Sequence, residues 1–252
     1  MPLTGTLDLS PLASDAPLVE DLGTGTWELK EANVLQIFYE IDDSAMTSLL
    51  PPALHPTIPP TVVVNGTRVP DSSVGPFTLA EVRVGCRAAT RPRGFLARAF
   101  CDSEAAAEEL RRRWGYPVDV ADVRLTKNHF QAQLTVDLDG ENILDAVLID
   151  PEPISGGDIQ YLANLNLSRI KKDGETVTRL IQVDPDFVFH SADRGLPAIH
   201  WLDSPEWRLD EALPVYPVSA SYTRCDITMP TIRFLIDPEQ PPLQSVERVN
   251  RE

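Results

Sequence analysis

The chain has 252 residues, 42% of them hydrophobic, and a formal net charge of -16. That is enough for one large domain with its own core. The charge argues against nucleic acid and anionic membrane as partners, because both demand clustered Lys and Arg.

Residues 1–26 are rich in Pro, Ser, Thr, Gly and Asp and read as an extended arm, free or docked on the body or on a neighbouring subunit. The stretch has no basic or apolar leader-type region, and no later run approaches 18 apolar residues, so a soluble cytoplasmic protein is expected. Residues 34–39 read as a strand, followed by a short helix capped by Asp42 or Asp43 and stopped by Pro51-Pro52. Residues 61–64, 77–87 and 94–101 read as strands. In the second of these, Leu79, Glu81 and Arg83 share one face. Ser103 to Arg113 is the clearest helix, with acids early, bases late and Gly115 just past its end. Strands follow near 120–126, 130–138, 142–149, 161–170, 176–190, 218–227 and 231–236, with hairpin turns at Asp139-Gly140 and Asp173-Gly174. From Pro238 the tail is polar and reads as loose. Strands predominate without βαβ alternation, which predicts an α+β, largely antiparallel, barrel-like domain over 27–238. Cys86, Cys101 and Cys225 are odd in number and lack CxxC spacing, so free thiols are expected.

Trp114-Gly115-Tyr116-Pro117-Val118-Asp119 closes the helix and opens a β-rich stretch. With Tyr39-Glu40-Ile41-Asp42, the turn from Asp71 through Gly75-Pro76-Phe77, the spacing from Asp102 to Tyr116, Val120-Ala121-Asp122-Val123 and Leu213-Pro214-Val215, it resembles the acetoacetate decarboxylases and their relatives. The resemblance runs from about Lys30 to Asp237. It implies a β-barrel with a buried, mostly apolar pocket for small keto acids or their condensation products, and it implies homo-oligomers. The family's Schiff-base lysine falls on Val118 and its partner lysine on Asp119. The family's carboxylates fall on Asn65 and Leu79, and its arginine near Ala32, two residues after Lys30. A valine forms no imine, so different chemistry is expected.

Asp119, if it points into an apolar pocket, suits general acid/base work; otherwise it caps a surface turn. Glu81 is either a second inward carboxylate or an outward partner of Arg83. Arg98, interrupting apolar text beside Phe100, either grips a substrate carboxylate or faces outward. Tyr116 either lines the pocket with its hydroxyl or is simply packed. Lys127 reads as a solvated turn, with a relocated Schiff base as the rival. His55, His129, His190 and His200 show no metal-ligand spacing, and no phosphate- or dinucleotide-binding motif occurs, so neither metal nor cofactor is expected.

The resulting expectation is a cofactor-independent enzyme acting on a small keto acid or polyketide-like ketone. It would run a non-covalent lyase, dehydratase, isomerase or cyclase step, with Asp119 and Glu81 handling protons. Arg98, Tyr116, Val118, Asn65, Leu79 and Phe100 would line the substrate site. The rivals are a binding protein that kept the pocket and a decarboxylase with a relocated lysine, Lys127 or Lys30.

Overall fold

A computed structural model describes residues 3–23, 25–88, 91–172, 174–209, 212–242 and 244–249. The N-terminal segment forms helix α1 (Ser10–Asp15) and strand β1 (Leu18–Val19). The body carries β2 (Trp27–Ile41), β3 (His55–Pro56), β4 (Thr61–Val69), β5 (Phe77–Ala88), β6 (Arg91–Cys101), helix α2 (Glu104–Trp114), β7 (Val118–Val120) and β8 (Asp122–Lys127). Next come β9 (Gln131–Leu138), β10 (Glu141–Ile154), β11 (Asn164–Lys172), β12 (Glu175–Val183) and β13 (Asp186–Leu202). Finally β14 (Pro214–Met229), β15 (Phe234–Ile236) and β16 (Val246–Arg248) close the chain.

All sixteen strands belong to one sheet, whose main path is β16-β15-β12-β11-β6-β5-β4-β2-β14-β13-β10-β9-β8. Among the described residues, only β1–β11, β6–β7 and β6–β11 pair in parallel. The sheet curls so that β8 packs across β4, β5 and β6, giving the expected barrel-like, largely antiparallel class. Two cores result. One lies inside the curl, around Leu35, Val82, Phe100, Leu134 and Trp207. The other lies on the opposite face of β4–β6, where α2, β12 and the end of β14 cover Leu79, Leu96, Ala99 and Trp114.

Asp139-Gly140 turns the β9–β10 hairpin with both residues at positive φ (53° and 87°), as the two-residue turn requires. Asp173 of the second expected hairpin turn lies outside the described residues. The expected helix after Asp42 is only a 3-10 turn, Asp43–Ala45, capped by the Asp42 side chain. Both terminal segments are tied to the body. The arm hydrogen-bonds to the body through Gly5 and Leu7, and β1 extends the sheet beside β11. The tail adds β16, tied down by Lys172 to Glu247 at 2.6 Å. In the arm a few apolar residues (Leu9, Ala16 and Val19) are buried, which local polarity hides. The three cysteines are free and buried, and burial pushes the Cys86 thiol up to about 12.

Candidate active site

Strand alternation decides which side chains meet. On β5, Leu79, Glu81 and Arg83 point to the α2-side core, and Ala80, Val82 and Val84 point into the curl. Asn65, the cross-strand partner of Glu81, and Thr67, that of Leu79, share this α2-side face. Together with Tyr116, Asn164, Tyr161 and Phe187 these residues line a cavity of about 50 Å³. A strand that is uniformly buried tolerates Glu81 and Arg83 only if their charges find partners.

Asn164 supplies them. Its amide nitrogen donates to Glu81 Oε1 at 2.7 Å and to the Tyr116 hydroxyl at 3.0 Å. Its amide oxygen accepts from Arg83 Nη1 at 2.8 Å, and Nη1 also donates to the Leu162 carbonyl at 2.8 Å. One side chain therefore joins a carboxylate, a guanidinium and a phenol. The other edge of Arg83 is different: Nε and Nη2 are buried and have no partner among the described residues. These two N–H groups lie side by side and match the two oxygens of a carboxylate. Gly94 makes the arrangement possible, since a Cβ there would sit 3.0 Å from Arg83 Cβ and 3.1 Å from its Cδ.

Tyr116 is positioned by the end of α2. Ser103 caps the helix start, and Gly115, at φ 63°, ends it in the left-handed conformation that glycine accepts most readily. The turn is held from β11, where Asn166 donates to the Trp114 carbonyl at 2.9 Å and Ser168 to the Gly115 carbonyl at 3.1 Å. Burial, reinforced by the Glu81 carboxylate, raises the Tyr116 hydroxyl well above its usual value, against the opposing pull of Arg83 and Asn164. Tyr116 is thus a proton-bearing group at neutral pH. It accepts from Asn164, which leaves its own proton to donate.

Most of the cavity lining is buried; the half-buried exceptions are Tyr161, Leu162, Pro185 and Phe187, which form its mouth. Tyr161 packs on Phe187 with ring centres 4.5 Å apart, and its hydroxyl meets Thr223 Oγ1 at 2.6 Å.

Of the residues singled out from the sequence, Glu81, Tyr116, Asn65 and Leu79 line this cavity. The other four, Asp119, Arg98, Phe100 and Val118, lie outside it. Asp119 has a 52% exposed side chain and pairs with Arg98 at 3.0 Å. Arg98 in turn binds Glu206 at 3.0 Å and stacks over Phe100 at 4.6 Å. Phe100 lies in the other core, edge-on to Trp207 at 4.9 Å. The reason is register: Arg98 and Phe100 pair with Val82 and Ala80, so they share the face opposite Glu81, and Asp119 pairs with Phe100. Val118 pairs with Ala99 and is buried on the cavity side of the sheet, but it lines a neighbouring space near Asp119 and Arg208 rather than this cavity. No lysine lines the cavity: Lys30 pairs with Glu28 and Asp226, Lys127 with Asp193, Lys171 with Glu20, and Lys172 with Glu247. The network residues Arg83 and Asn164 are additions; the same-face run Leu79-Glu81-Arg83 is the sequence signal for the first.

Glu31, His190 and Asp226 bring ligating atoms within 4.8 Å of one another at the surface, a grouping that their sequence positions could not show. Lys30, 3.4 Å from Asp226, and Arg224, 3.5 Å from Glu31, already neutralise it. Among the described residues, no helix is long and apolar enough to cross a membrane.

Several solved structures share the fold. An acetoacetate decarboxylase from Legionella pneumophila superposes with a TM-score of 0.73 at 21% identity, covering 83% of this chain and 86% of that one. The enduracididine biosynthesis enzyme MppR complexed with pyruvate gives 0.68 at 15% identity, covering 92% and 97%. An acetoacetate decarboxylase-like enzyme from Sphingomonas wittichii RW1 gives 0.65 at 15% identity, covering 92% and 98%. No curated protein matches the sequence. The family described as Acetoacetate decarboxylase (ADC) matches residues 19–238, nearly the whole body of the fold, and the chain belongs to that family.

Proposed function

We propose that the protein is a cofactor-independent enzyme that binds the carboxylate of a small oxo acid on the free edge of Arg83 and enolises it without forming a Schiff base. The observation that carries this reading is the buried, unpartnered Nε/Nη2 pair of Arg83 beside Glu81 and Tyr116. A buried cation with two unused donors is costly unless a ligand completes it. A carboxylate seated there would bring the adjacent carbonyl carbons to Glu81, whose Oε2 has no hydrogen bond among the described residues. Glu81 then removes the proton next to the carbonyl, and the Tyr116 hydroxyl donates to the developing enolate oxygen. Elimination, isomerisation or ring closure each proceeds from such an enolate. The volume of about 50 Å³, room for a few water molecules, favours a small acid over a polyketide-like ketone. The structure of MppR with pyruvate provides a relative of the same fold that takes such a ligand. Asp119, paired with Arg98 at the surface, has no part in this scheme.

Absence of a lysine from the cavity lining supports the non-covalent route. Borohydride reduction in the presence of acetoacetate or pyruvate, followed by intact-mass measurement, tests this point. The expected result is an unchanged mass, and a stable adduct on any lysine overturns the reading. Pyruvate bound by the wild type, with no conversion of any oxo acid offered to it, would favour a binding protein instead. We further propose a cytoplasmic homo-oligomer, supported by exposed Leu196, Trp201, Val215 and Tyr216 on β13 and β14.

A further inference from the structure

A second, larger space lies across the 184–187 segment from the cavity. It measures about 530 Å³ and carries Arg91, Arg93 and Arg233 together with Asp184 and Asp186. The connection from β12 to β13 is shared between the two spaces. Asp184 and Asp186 face the outer cleft, while Pro185 and Phe187 line the inner cavity. The same alternation occurs at the end of β14, where Met229 lines the cavity and Pro230 the cleft. The wall between the spaces is therefore one strand thick. Its inner residues Pro185 and Phe187 belong to the half-buried mouth.

The charge of the cleft runs against that of the chain. Three arginines against two aspartates leave it one charge positive in a protein of net charge -16. Arg91 and Arg233 are exposed and make no ion pair among the described residues. Arg93 is nine-tenths buried, its Nε has no partner, and its Nη2 reaches Asp184 only at 4.0 Å. An anionic substrate approaching an acidic protein is repelled over most of the surface, and a local cationic cleft lowers that barrier where it matters.

We propose that the cleft of Arg91, Arg93 and Arg233 is the entrance that collects small carboxylate anions and passes them by Pro185 and Phe187 to Arg83. This inference rests on the proposed oxo-acid reading and adds the route and the residues that set the association rate. The cations act before binding, so they govern arrival and leave release from Arg83 alone.

Stopped-flow tryptophan fluorescence with pyruvate and acetoacetate tests it, because Trp27 stacks at 5.7 Å on the cavity residue Phe77. The double substitution Arg91→Gln/Arg233→Gln should lower the association rate constant about threefold or more at low ionic strength, with dissociation unchanged. Asp184→Asn/Asp186→Asn should shift it in the opposite direction, and added salt should shrink both differences. Both exposed pairs lie away from the cores, so the variants keep the fold, which circular dichroism verifies. Binding that depends on Arg83 but arrives at the same rate in both double variants overturns the entrance and leaves the oxo-acid reading standing. Failure of the wild type to bind either acid overturns both.

Discussion

Arg83 is the residue on which the account turns. Arg83→Lys keeps the charge and removes the fork, so pyruvate affinity should fall about 10- to 100-fold, the equivalent of a charge-assisted hydrogen bond worth roughly 1.5–3 kcal/mol. Calorimetric titration measures this, and undiminished affinity would place the carboxylate elsewhere. Glu81→Gln preserves shape and the hydrogen bond from Asn164 but cannot accept a proton. Exchange of the methyl protons of pyruvate with deuterated solvent, followed by NMR, should slow about 10²- to 10⁴-fold while binding persists. Tyr116 stays protonated up to its ordinary value of 10.0 and beyond, held there by burial and then by Glu81. The pH profile of that exchange in Tyr116→Phe should thus keep the wild-type shape at a lower level; a lost basic limb would make Tyr116 a phenolate in the reaction. These roles were only half legible in the sequence. The shared face of Leu79, Glu81 and Arg83 is visible in the sequence, but not that it is covered: the opposite face is the more apolar one, and yet both faces of β5 are buried. Asn164, Asn166 and Ser168 alternate along β11, and their spacing alone does not tell a solvent-facing row from a buried one. Here all three are buried and spend their hydrogen bonds on the 114–116 turn and the cavity.

Among the elements, α2 and its exit matter most. Gly115→Ala would place a Cβ 1.8 Å from Ser168 Oγ at φ 63°. The left-handed backbone costs about 1–2 kcal/mol and the clash about 1–3 kcal/mol more, so a marked fall in thermal midpoint is expected. Ser103→Ala removes only the helix cap and should cost about 1 kcal/mol by denaturant titration. The β2–β14 pair carries an acid-sensitive contact. The backbone N–H of Glu31, then His190 and Lys30, hold Asp226 at about 2, below its ordinary 3.8. A depressed carboxylate stabilises fully above the unfolded value and loses that contribution as pH falls through the folded one. Thermal midpoints recorded from about pH 5 to about pH 2 should therefore fall more steeply in the wild type than in Asp226→Asn. Most elements were readable: α2 carried its cap, its charge order and its terminal glycine, and the strands carried their β-branched runs. What could not be read was lateral pairing. β6 joins β5, β7 and β11, partners from 3 to 70 residues away by register, and that pairing sends Arg98 and Asp119 away from the cavity.

At the scale of the molecule, one sheet curls around a core and leaves its charged cavity on the outer face, under α2 and the 184–187 connection. Exposed Trp201 and Tyr216 belong to the apolar stretch proposed for self-assembly. Light scattering after size exclusion should show more than one copy, and Trp201→Glu with Tyr216→Glu should reduce the mass toward the monomer. The class of the fold was legible from strand content, but the free edge of Arg83 was not, since it depends on which donors Asn164 and the Leu162 carbonyl happen to occupy. A crystal structure with pyruvate tests that edge directly. The account predicts both carboxylate oxygens within hydrogen-bonding distance of Arg83 Nε and Nη2, with the methyl carbon toward Glu81 and no covalent bond to the protein. A pyruvate bound through a lysine imine, or seated away from Arg83, would contradict it.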